Sequence, residues 1–422
     1  MSDSNRRDFI KAGAATAATV AAAGLFPVHA NGSDKIKVGL IGCGGRGSGA
    51  IRDSLEADAA TIFWAAGDVF ENRAKGTVAA VKGEKADRVD VGDRIYGGLD
   101  AYQKVIDSGA DLIILATPPG FRPYHLEAAV KAKKNIFCEK PVAVDGPGIR
   151  KCLEVAEQAK KDKLAIVCGT QRRHQVGYQK TMELIHGGEI GKIVAARCSW
   201  NGSEPWFKSR QQGVSDVEYQ LDNWYHFVWL CGDHIVEQQV HNLDVINWAM
   251  KSHPIKAVGQ GGRIGRRAGK PEEVGHIYDL FAIEFEYPGG VPMYSYCSHV
   301  PGTTSDVSEM VIGEKGVVKM EDGKWTLNGK AIHTNPRGKG DPRYVTEHVD
   351  LIKSIHDGKP AAELTACAES TMTAILGRMA VYSGEVVTWE AALNSKISTM
   401  PENLDIKGSL KVAPVPKPGR KG

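Results

Sequence analysis

The sequence predicts an α/β protein whose fold begins with a parallel sheet and continues with a mostly antiparallel one. From residue 35 to residue 170, short apolar runs rich in β-branched residues alternate with helix-like stretches. This alternation is typical of a parallel sheet that helices cover on both faces. Farther on, apolar and polar residues alternate with a period of two, as in 281–287, and no helix separates the last runs. That pattern favours antiparallel pairing in a second domain.

The composition is that of an ordinary globular protein. Of 422 residues, 42% are hydrophobic and 24% are charged, which excludes a disordered or collagen-like chain. The length favours two or three domains. The net charge is only +3, because 53 lysines and arginines nearly balance 50 aspartates and glutamates. We therefore expect neither a nucleic-acid partner nor a polybasic membrane surface.

The first 30 residues have the parts of an export signal. Arg6 and Arg7 precede an uncharged, alanine-rich run over 12–26, and small residues at 28–30 resemble a cleavage site. A basic start, a short apolar run and such a site define a secretory signal, and the arginine pair is that of the twin-arginine pathway. The alternative is an amphipathic helix. We expect residues 1–30 to direct the protein through the twin-arginine machinery to the periplasm.

The eight cysteines read as small buried hydrophobic residues. None stands in a Cys-x-x-Cys pair or in a zinc-binding spacing, and most lie in apolar runs such as 136–138 and 165–168. An oxidising destination usually favours disulfides. Folding in the cytoplasm before export removes that pressure, so free cysteines agree with a twin-arginine signal.

A glycine motif follows the first predicted strand, 36–41, and opens a helix. In this Gly-x-Gly-x-x-Gly motif, Gly42 permits a tight turn, Gly44 lets the backbone approach a pyrophosphate and Gly47 allows close packing of the helix on the strand. The free N–H groups of a helix N-terminus attract phosphates. The motif predicts a dinucleotide site that includes Arg46; the alternative is a flavodoxin-like turn without a dinucleotide.

An acidic residue at the end of the second strand discriminates between dinucleotides. Asp68 lies 21 residues after Gly47. A carboxylate at this place accepts hydrogen bonds from the adenosine ribose and repels a 2′-phosphate. We therefore expect NAD as the cofactor, with NADP less favoured because only Arg73, close by, is suited to a 2′-phosphate.

Later strand ends should line the same site, since ligands bind at the carboxyl ends of parallel strands. Thr117 and Pro118 follow the strand near 111–116. Gln171 and Arg172 follow the last strand of the first domain. We expect Thr117, Pro118 and Gln171 to contact the cofactor and Arg172 to contact the substrate.

The tripeptide Glu139-Lys140-Pro141 ends another strand at this edge, 97 residues after Gly42. At this place it resembles the Gfo/Idh/MocA oxidoreductases, and the resemblance extends over about residues 35–390. It implies an NAD(P)-binding Rossmann domain over 35–170 and a substrate and oligomerisation domain over 171–395. The second domain would be α+β with a large, open, mostly antiparallel sheet. We also expect residues 396–422 to form a C-terminal surface tail and the protein to assemble as a homo-oligomer.

The resemblance also implies roles for individual residues. Lys140 would contact the reacting hydroxyl and the nicotinamide ribose, with Glu139 beside it in the cofactor site, and its cation would stabilise a developing alkoxide. Family members carry an acid and a histidine one helical turn apart, with the histidine as the base. Here these are Glu237, where the family often has aspartate, and His241, at i and i+4 on one predicted helix.

Two neighbours of the predicted base need separate interpretation. Asp244, three residues after His241, is placed to orient its imidazole. His234 lies within two turns of Glu237 and His241, a spacing that also fits metal ligands. No ligand from another element is evident, so we expect no metal. The alternative for each histidine is a structural role in the core.

An irregular segment over 200–229 is rich in aromatic residues. Aromatic faces pack against sugar rings, and their polar edges donate hydrogen bonds, although core packing is the more common role. We choose Trp224 and Tyr225 as candidates for contact with a sugar.

These observations together predict an exported, NAD-dependent oxidoreductase that acts on a secondary hydroxyl of a sugar or cyclitol. Because no free nicotinamide pool is expected outside the cytoplasm, NAD should be tightly bound. One alternative is a redox-neutral, NAD-dependent glycosidase, a branch of the family that commonly lacks the lysine found here at 140. The other is a non-catalytic sugar-binding protein.

Overall fold

The computed structural model describes residues 35–321, 323–335 and 342–419. The predicted export signal, 1–30, lies outside the described residues. Within them, six strands form a parallel sheet in the order β3-β2-β1-β4-β5-β6. These strands are β1 (Ile36–Ile41), β2 (Thr61–Asp68), β3 (Ile95–Gly97), β4 (Leu112–Leu115), β5 (Asn135–Cys138) and β6 (Ile166–Cys168).

Helices connect these strands and cover the parallel sheet. They are α1 (Gly45–Ala57), α2 (Glu71–Glu84), α3 (Ala101–Asp107), α4 (Arg122–Lys131) and α5 (Gly146–Lys161). The order of strands reverses between β1 and β4, so the ends of these two strands form the crevice in which such sheets bind ligands. The predicted parallel domain is confirmed. The strand β3 was not predicted, because a strand of three residues leaves no recognisable pattern in the sequence.

A second sheet has nine strands in the part of the chain that the structure describes. Its order is β14-β13-β12-β11-β7-β10-β9-β8-β15, and all neighbours are antiparallel except β7 and β10. The strands are β7 (Ile193–Asn201), β8 (Lys256–Gly262), β9 (Leu280–Tyr287), β10 (Val291–Ser298), β11 (Asp306–Gly313), β12 (Val317–Glu321), β13 (Lys324–Leu327), β14 (Lys330–Thr334) and β15 (Val387–Thr388). The predicted, mostly antiparallel sheet is therefore confirmed.

The second domain also contains eight helices among the described residues. They are α6 (Val176–His186), α7 (Asp216–Asp222), α8 (Val228–Cys231), α9 (Val240–Met250), α10 (Pro271–Val274), α11 (Arg343–His356), α12 (Leu364–Ser383) and α13 (Trp389–Leu393). A π-helical turn, Ile235–Gln239, leads directly into α9. None of the described helices combines the length and the apolar character that crossing a membrane requires.

The two domains share their hydrophobic core. Ile113 and Ile149 of the first domain belong to one buried cluster with Phe285 and Ile375 of the second. The other side of the parallel sheet is completed late in the chain, where Leu351 and Ile352 of α11 pack with Val38, Leu40 and Phe137. All eight cysteines are buried and free, as predicted. This common core fixes the position of one domain relative to the other, and with it the walls of the site between them.

Candidate active site

A cavity of about 660 Å³ opens at the carboxyl ends of the parallel strands, between the two domains. All eleven residues predicted to bind the cofactor line it: Gly42, Gly44, Arg46, Gly47, Asp68, Arg73, Thr117, Pro118, Glu139, Lys140 and Gln171. The second domain contributes a facing wall: Trp200, Trp206, Leu221, Trp224, Glu237, Gln238, His241 and Tyr344. The predicted cofactor residues and the predicted acid and base therefore meet in one space.

The glycine loop has the geometry of a phosphate cradle. Gly42 has φ +93°, and a Cβ there would lie 2.6 Å from the carbonyl carbon of Ala116. A Cβ on Gly47 would overlap the carbonyl oxygen of Gly42. At Gly44 and Gly45, which line the cavity, a Cβ would meet nothing within 4 Å. The space before the N-terminus of α1 is thus open to the backbone N–H groups, which fits a bound pyrophosphate.

Asp68 is fixed at the end of β2 by two backbone donors. One carboxylate oxygen accepts from the N–H of Cys43 at 2.7 Å, and the other accepts from the N–H of Phe70 at 2.9 Å. Burial raises the pKa of this carboxyl, and the two N–H groups oppose the rise. Arg73 stacks on the Phe70 ring and pairs with Asp222 of the second domain. Because its charge is already paired, Arg73 is poorly suited to a 2′-phosphate, which agrees with NAD.

Arg46 is held within the glycine loop by carboxylates. It pairs with Glu139 at the end of β5 and with Asp53 at 2.9 Å, and Tyr344 of α11 stacks on its guanidinium. The pKa of Arg46 is raised by Glu139 and Glu347 despite burial. Glu139 therefore lines the cavity and also fixes the loop.

Thr117 is positioned by a buried histidine. Its hydroxyl lies 3.2 Å from Nδ1 of His125, whose ring is stacked between Tyr102 and Phe121. Burial, helped by Arg122, lowers the pKa of His125 to about 3, so this ring is neutral. The apolar faces around it form one end of the cavity.

Lys140 and Glu237 form a buried pair across the domain boundary. The Lys140 Nζ donates to the carbonyl oxygen of Glu237 at 2.7 Å and to its Oε1 at 3.0 Å. Glu237 lies in the π-helical turn, a feature that is frequent at functional sites. Burial raises the pKa of Glu237, and the charge of Lys140 opposes the rise. Its Oε2 is buried and has no hydrogen-bond partner among the described residues, so one acceptor remains for a ligand.

His241 lies in the first turn of α9, on the same wall of the cavity as Glu237. Its ring is stacked on Trp200, with the centroids 5.8 Å apart. Burial lowers the pKa of His241 well below 6.5, and the charges of Lys140 and Arg172 lower it further. The imidazole is therefore neutral near pH 7 and able to accept a proton.

Asp244 does not orient His241, contrary to the sequence-based expectation. Both of its carboxylate oxygens accept from Arg173, at 2.8 and 2.9 Å, and one also accepts from the hydroxyl of Ser370. The reason is its position farther along α9, where it faces α12 and the last turn of the first domain. His241 is held instead by its contact with Trp200.

Two predicted substrate residues do not line the cavity. Arg172 is buried in an ion pair with Glu309 of β11, because that carboxylate lies in the sheet directly behind the site. Tyr225 is buried beneath Trp206, with ring centroids 5.6 Å apart, whereas its neighbour Trp224 does line the cavity. Arg172 instead lies behind the wall, with its guanidinium 5.9 Å from the ring of Trp200, which does line the cavity.

His234 belongs to a different cluster from the predicted base. It stacks on His299 at 4.3 Å, and its Nδ1 lies 3.1 Å from the carbonyl oxygen of Tyr278. Across the described residues, no three histidine, cysteine or acidic side chains are grouped as metal ligands. The spacing of His234, Glu237 and His241 therefore does not translate into a shared ligand set.

Several lining residues were missed from the sequence. Trp200 is the penultimate residue of β7 and opens the aromatic segment, so its position gave a usable signal. Trp206 lies in the same segment but in an irregular loop, where no periodicity assigns a direction. Tyr344 is far along the chain and reaches the site only because α11 packs back on α1; no local pattern indicates that.

Comparison with known proteins places the chain in a family. Residues 36–170 match the oxidoreductase family described as having an NAD-binding Rossmann fold. Residues 182–385 match the C-terminal alpha/beta domain of that oxidoreductase family. Residues 3–23 match the twin-arginine translocation pathway signal sequence. The last of these ranges lies within the leader predicted from the sequence.

Individual relatives are similar over most of the chain. Inositol 2-dehydrogenase 3 of Saccharopolyspora erythraea is 26% identical over 302 residues, which cover 68% of this chain and 73% of the relative. Inositol 2-dehydrogenase of Serratia proteamaculans is 25% identical over 301 residues, which cover 68% and 74%.

Solved structures share the fold. Scyllo-inositol dehydrogenase from Lactobacillus casei, solved with NAD(H) and scyllo-inositol, has a TM-score of 0.63 at 17% identity, covering 84% of this chain and 99% of that one. Aldose-aldose oxidoreductase from Caulobacter crescentus, complexed with glycerol, has a TM-score of 0.64 at 15% identity with the same coverage. With a glycine cradle that fits NAD and family matches over both domains, the chain belongs to the Gfo/Idh/MocA family of NAD-binding oxidoreductases and carries a twin-arginine signal sequence.

Proposed function

We propose that the protein is exported through the twin-arginine pathway and oxidises, or in reverse reduces, a secondary hydroxyl of a sugar or cyclitol. The observation that carries this proposal is the meeting of Lys140, Glu237 and His241 in the cavity lined by the glycine loop. The relatives support the substrate class, since their names are those of inositol and aldose oxidoreductases. Bound NAD supplies a two-electron acceptor for the hydride that leaves the alcohol carbon.

His241 receives the hydroxyl proton. Its imidazole is neutral near pH 7, because burial and neighbouring cations lower its pKa. A neutral ring has a lone pair to accept the proton, and general-base catalysis of this kind contributes about 10²- to 10⁴-fold. The stacked Trp200 ring limits the movement of the imidazole and keeps it facing the cavity.

Lys140 stabilises the oxygen that loses its proton. Its ammonium group is buried and held by two acceptors on Glu237, so its position is fixed before substrate binds. A preorganised cation beside a developing alkoxide acts strongly where water is excluded. The remaining Oε2 of Glu237 accepts a hydrogen bond from a neighbouring substrate hydroxyl, which fixes the register of the ring.

The aromatic wall binds the ring itself. Trp200, Trp206 and Trp224 face the cavity from the second domain. Flat apolar faces pack against the C–H faces of a sugar or cyclitol and exclude water from the reacting carbon.

The assembly of the protein is also part of the proposal. The nine-stranded sheet carries Tyr294 and Tyr296 on a face where about two-fifths of each side chain is exposed. Exposed aromatic residues on a sheet face support the predicted homo-oligomer. Light scattering of the mature protein tests the prediction directly.

The deciding experiment starts from mature protein purified without added nucleotide. It is denatured, and NAD(H) and NADP(H) are assayed before and after incubation with pyranoses, cyclitols and aryl glycosides. We expect stoichiometric NAD that becomes NADH with a free sugar or cyclitol. If NAD stays oxidised while a glycoside is cleaved, the proposal is wrong and the protein is the redox-neutral glycosidase. A protein that neither contains nor binds nucleotide would overturn it in favour of a sugar-binding role.

A further inference from the structure

Part of the cavity wall lies across the glycine loop. We call residues 202–224, which comprise an irregular loop and α7, the cover. Trp206 and Trp224 of the cover line the main cavity and also border a second hollow of about 450 Å³, which reaches Gly44 and Gly45. The cover therefore closes the side of the cavity on which the phosphates of a dinucleotide would lie.

The cover is fastened to the first domain by charge. Asp222, the last residue of α7, pairs with Arg73 of α2 and also accepts from Lys208 Nζ at 3.1 Å. Arg73 is itself held by stacking on Phe70. Asp222 thus joins the cover to the helix that follows the strand of Asp68.

The cover is tied together internally by buried side chains. Asn223 is fully buried; its amide donates to the carbonyl oxygen of Lys208 at 3.0 Å, and its carbonyl accepts from the Lys208 N–H at 2.8 Å. Just after the cover, the ring of His226 lies 2.8 Å from the carbonyl oxygen of Trp206. Because these bonds link the loop to α7, the two parts of the cover move together.

A C-terminal segment runs from the first domain over the outside of the cover. We call residues 396–412 the strap. At its start, the backbone N–H and the hydroxyl of Thr399 donate to Asp145, at 2.7 and 3.0 Å. Asp145 caps α5 of the first domain. The strap was predicted to be part of a surface tail; it has no regular secondary structure, yet its ends are anchored on different domains.

The strap is then bound to α7 and its N-cap by three polar contacts. The carbonyl oxygen of Ile406 accepts from Ser215 at 2.6 Å, and that of Leu410 accepts from Gln220 at 2.8 Å. The N–H of Leu410 donates to Asp216 at 3.2 Å. These bonds fix the outer side of α7, opposite the cavity.

Apolar packing accompanies these bonds. Leu404 and Leu410 of the strap pack on a buried cluster that contains Leu221 of the cover, and Phe70 and Phe121 of the first domain pack on the same cluster. Burial of such side chains is the main favourable term in holding a segment on a protein surface. The strap therefore contacts the cover and the first domain at once.

We propose that the strap retains NAD by holding the cover in place over the glycine loop. NAD cannot leave on this side unless the cover moves outward, and the cover cannot move outward while the strap stays bound to α7. The inference rests on the proposed function only in that NAD occupies this cavity; it does not depend on the substrate. It gives an exported enzyme, which meets no free nicotinamide pool, a means to keep its cofactor.

The rate of cofactor release tests the proposal. The full-length mature protein is loaded with NADH and mixed with excess NAD, and release is followed through loss of energy transfer from tryptophan to NADH. In the double variant Leu404→Ala/Leu410→Ala we expect release at least about tenfold faster, because differences in affinity lie mostly in the dissociation rate. Turnover at saturating NAD should be unchanged. Ile397→Ala, a strap residue whose side chain is 71% exposed, is the matched control and should release NADH at the original rate.

Two outcomes would overturn the proposal. One is a folded double variant, with an unchanged near-ultraviolet spectrum, that releases NADH no faster than the control. The other comes from hydrogen exchange on the unaltered protein, which needs no variant to fold. Since coupling is reciprocal, NAD should slow exchange of the Leu410 N–H and of α7; equal exchange with and without NAD would contradict the strap. Failure of the unaltered protein to bind NADH at all would instead contradict the proposed function.

Discussion

The Nζ of Lys140 lies 2.7 Å from the carbonyl oxygen of Glu237 and 3.0 Å from its Oε1. Lys140 lies two residues after the end of β5 in the first domain, and Glu237 lies in the π-helical turn of the second. The cation that should stabilise the reacting oxygen is thus positioned by the domain that should bind the substrate. A change in the relative position of the two domains would therefore also move the ammonium group of Lys140.

Removal of either partner should lower turnover by different amounts. Lys140→Ala removes the cation, and we expect kcat to fall by about 10²- to 10³-fold. Glu237→Gln keeps an acceptor for Lys140 but removes the negative charge, so its fall in kcat should be smaller. Glu157→Gln, on the exposed face of α5, is the control. Steady-state kinetics with the substrate that the nucleotide assay identifies provide the measurement; equal losses in both active-site variants would contradict the arrangement.

The activity of the enzyme should persist in moderately acid solution. The pKa of His241 in the folded protein is well below 6.5, because the ring is buried beside Lys140 and Arg172. The imidazole therefore stays neutral as the pH falls through 6.5 and is protonated only at lower pH. We expect the acid limb of kcat/KM to lie below pH 6.5 and His241→Gln to lose about 10²- to 10⁴-fold in activity. An acid limb at or above pH 6.5 would show that another group acts as the base.

Alanine substitutions at two glycines of the same loop should impair the protein in different ways. Gly44→Ala adds a Cβ that meets no protein atom within 4 Å but enters the space in front of the helix N-terminus. We expect this variant to fold with its usual stability and to lose NAD binding. Gly47→Ala places its Cβ on the carbonyl oxygen of Gly42. This oxygen belongs to the backbone and cannot move aside without distorting the loop. This variant should unfold or express poorly.

Urea unfolding and calorimetric titration with NAD distinguish these two failures. A Gly44→Ala protein that binds NAD normally would mean that no ligand approaches this backbone. A Gly47→Ala protein of normal stability would mean that the helix and the strand are not in close contact.

A buried histidine of α11 should make the protein sensitive to acid. Burial lowers the pKa of His348 to about 3, with smaller effects of Arg46 and His174. Its ring stacks on Phe137 at 4.0 Å, and within the described residues neither ring nitrogen has a hydrogen-bond partner. Because the unfolded chain binds a proton near pH 6.5 and the folded one does not, stability is lost as the pH falls below 6.5, by about 2 kcal/mol at pH 5.

The variant His348→Leu removes this proton-binding difference. Its free energy of unfolding should therefore fall by about 2 kcal/mol less than that of the unaltered protein between pH 7 and pH 5. His356→Leu, at the exposed end of the same helix, is the matched control. Urea titrations at the two pH values give the free energy of unfolding of each protein. If this free energy changes equally between the two pH values in all three proteins, His348 does not have this role.

The sequence was sufficient where function depends on local geometry. The glycine loop, Asp68 and Glu139-Lys140-Pro141 each follow a strand directly, so the parallel topology alone brings them to one edge. Glu237 and His241 were found because residues one helical turn apart share a face, and both do line the cavity, although the turn is π-helical.

The sequence was insufficient where contacts depend on packing between distant segments. Asp244 is near His241 in the chain, but its carboxylate forms an ion pair with Arg173, which belongs to another element. Arg172 turned toward Glu309, a partner on a strand that no local pattern pairs with it. A side chain at an element's end can face several directions, and only the tertiary structure decides among them.

The packing of α11 on the first domain has a consequence for biosynthesis. Leu351 and Ile352 complete the core beside Val38 and Leu40, which belong to the strand that leads into the glycine loop. A nascent chain that ends before this helix therefore exposes part of that core, and the first domain reaches its final packing only when most of the protein has been synthesised. Because Tyr344 of the same helix lines the cavity, the NAD site is complete only after this helix has been synthesised.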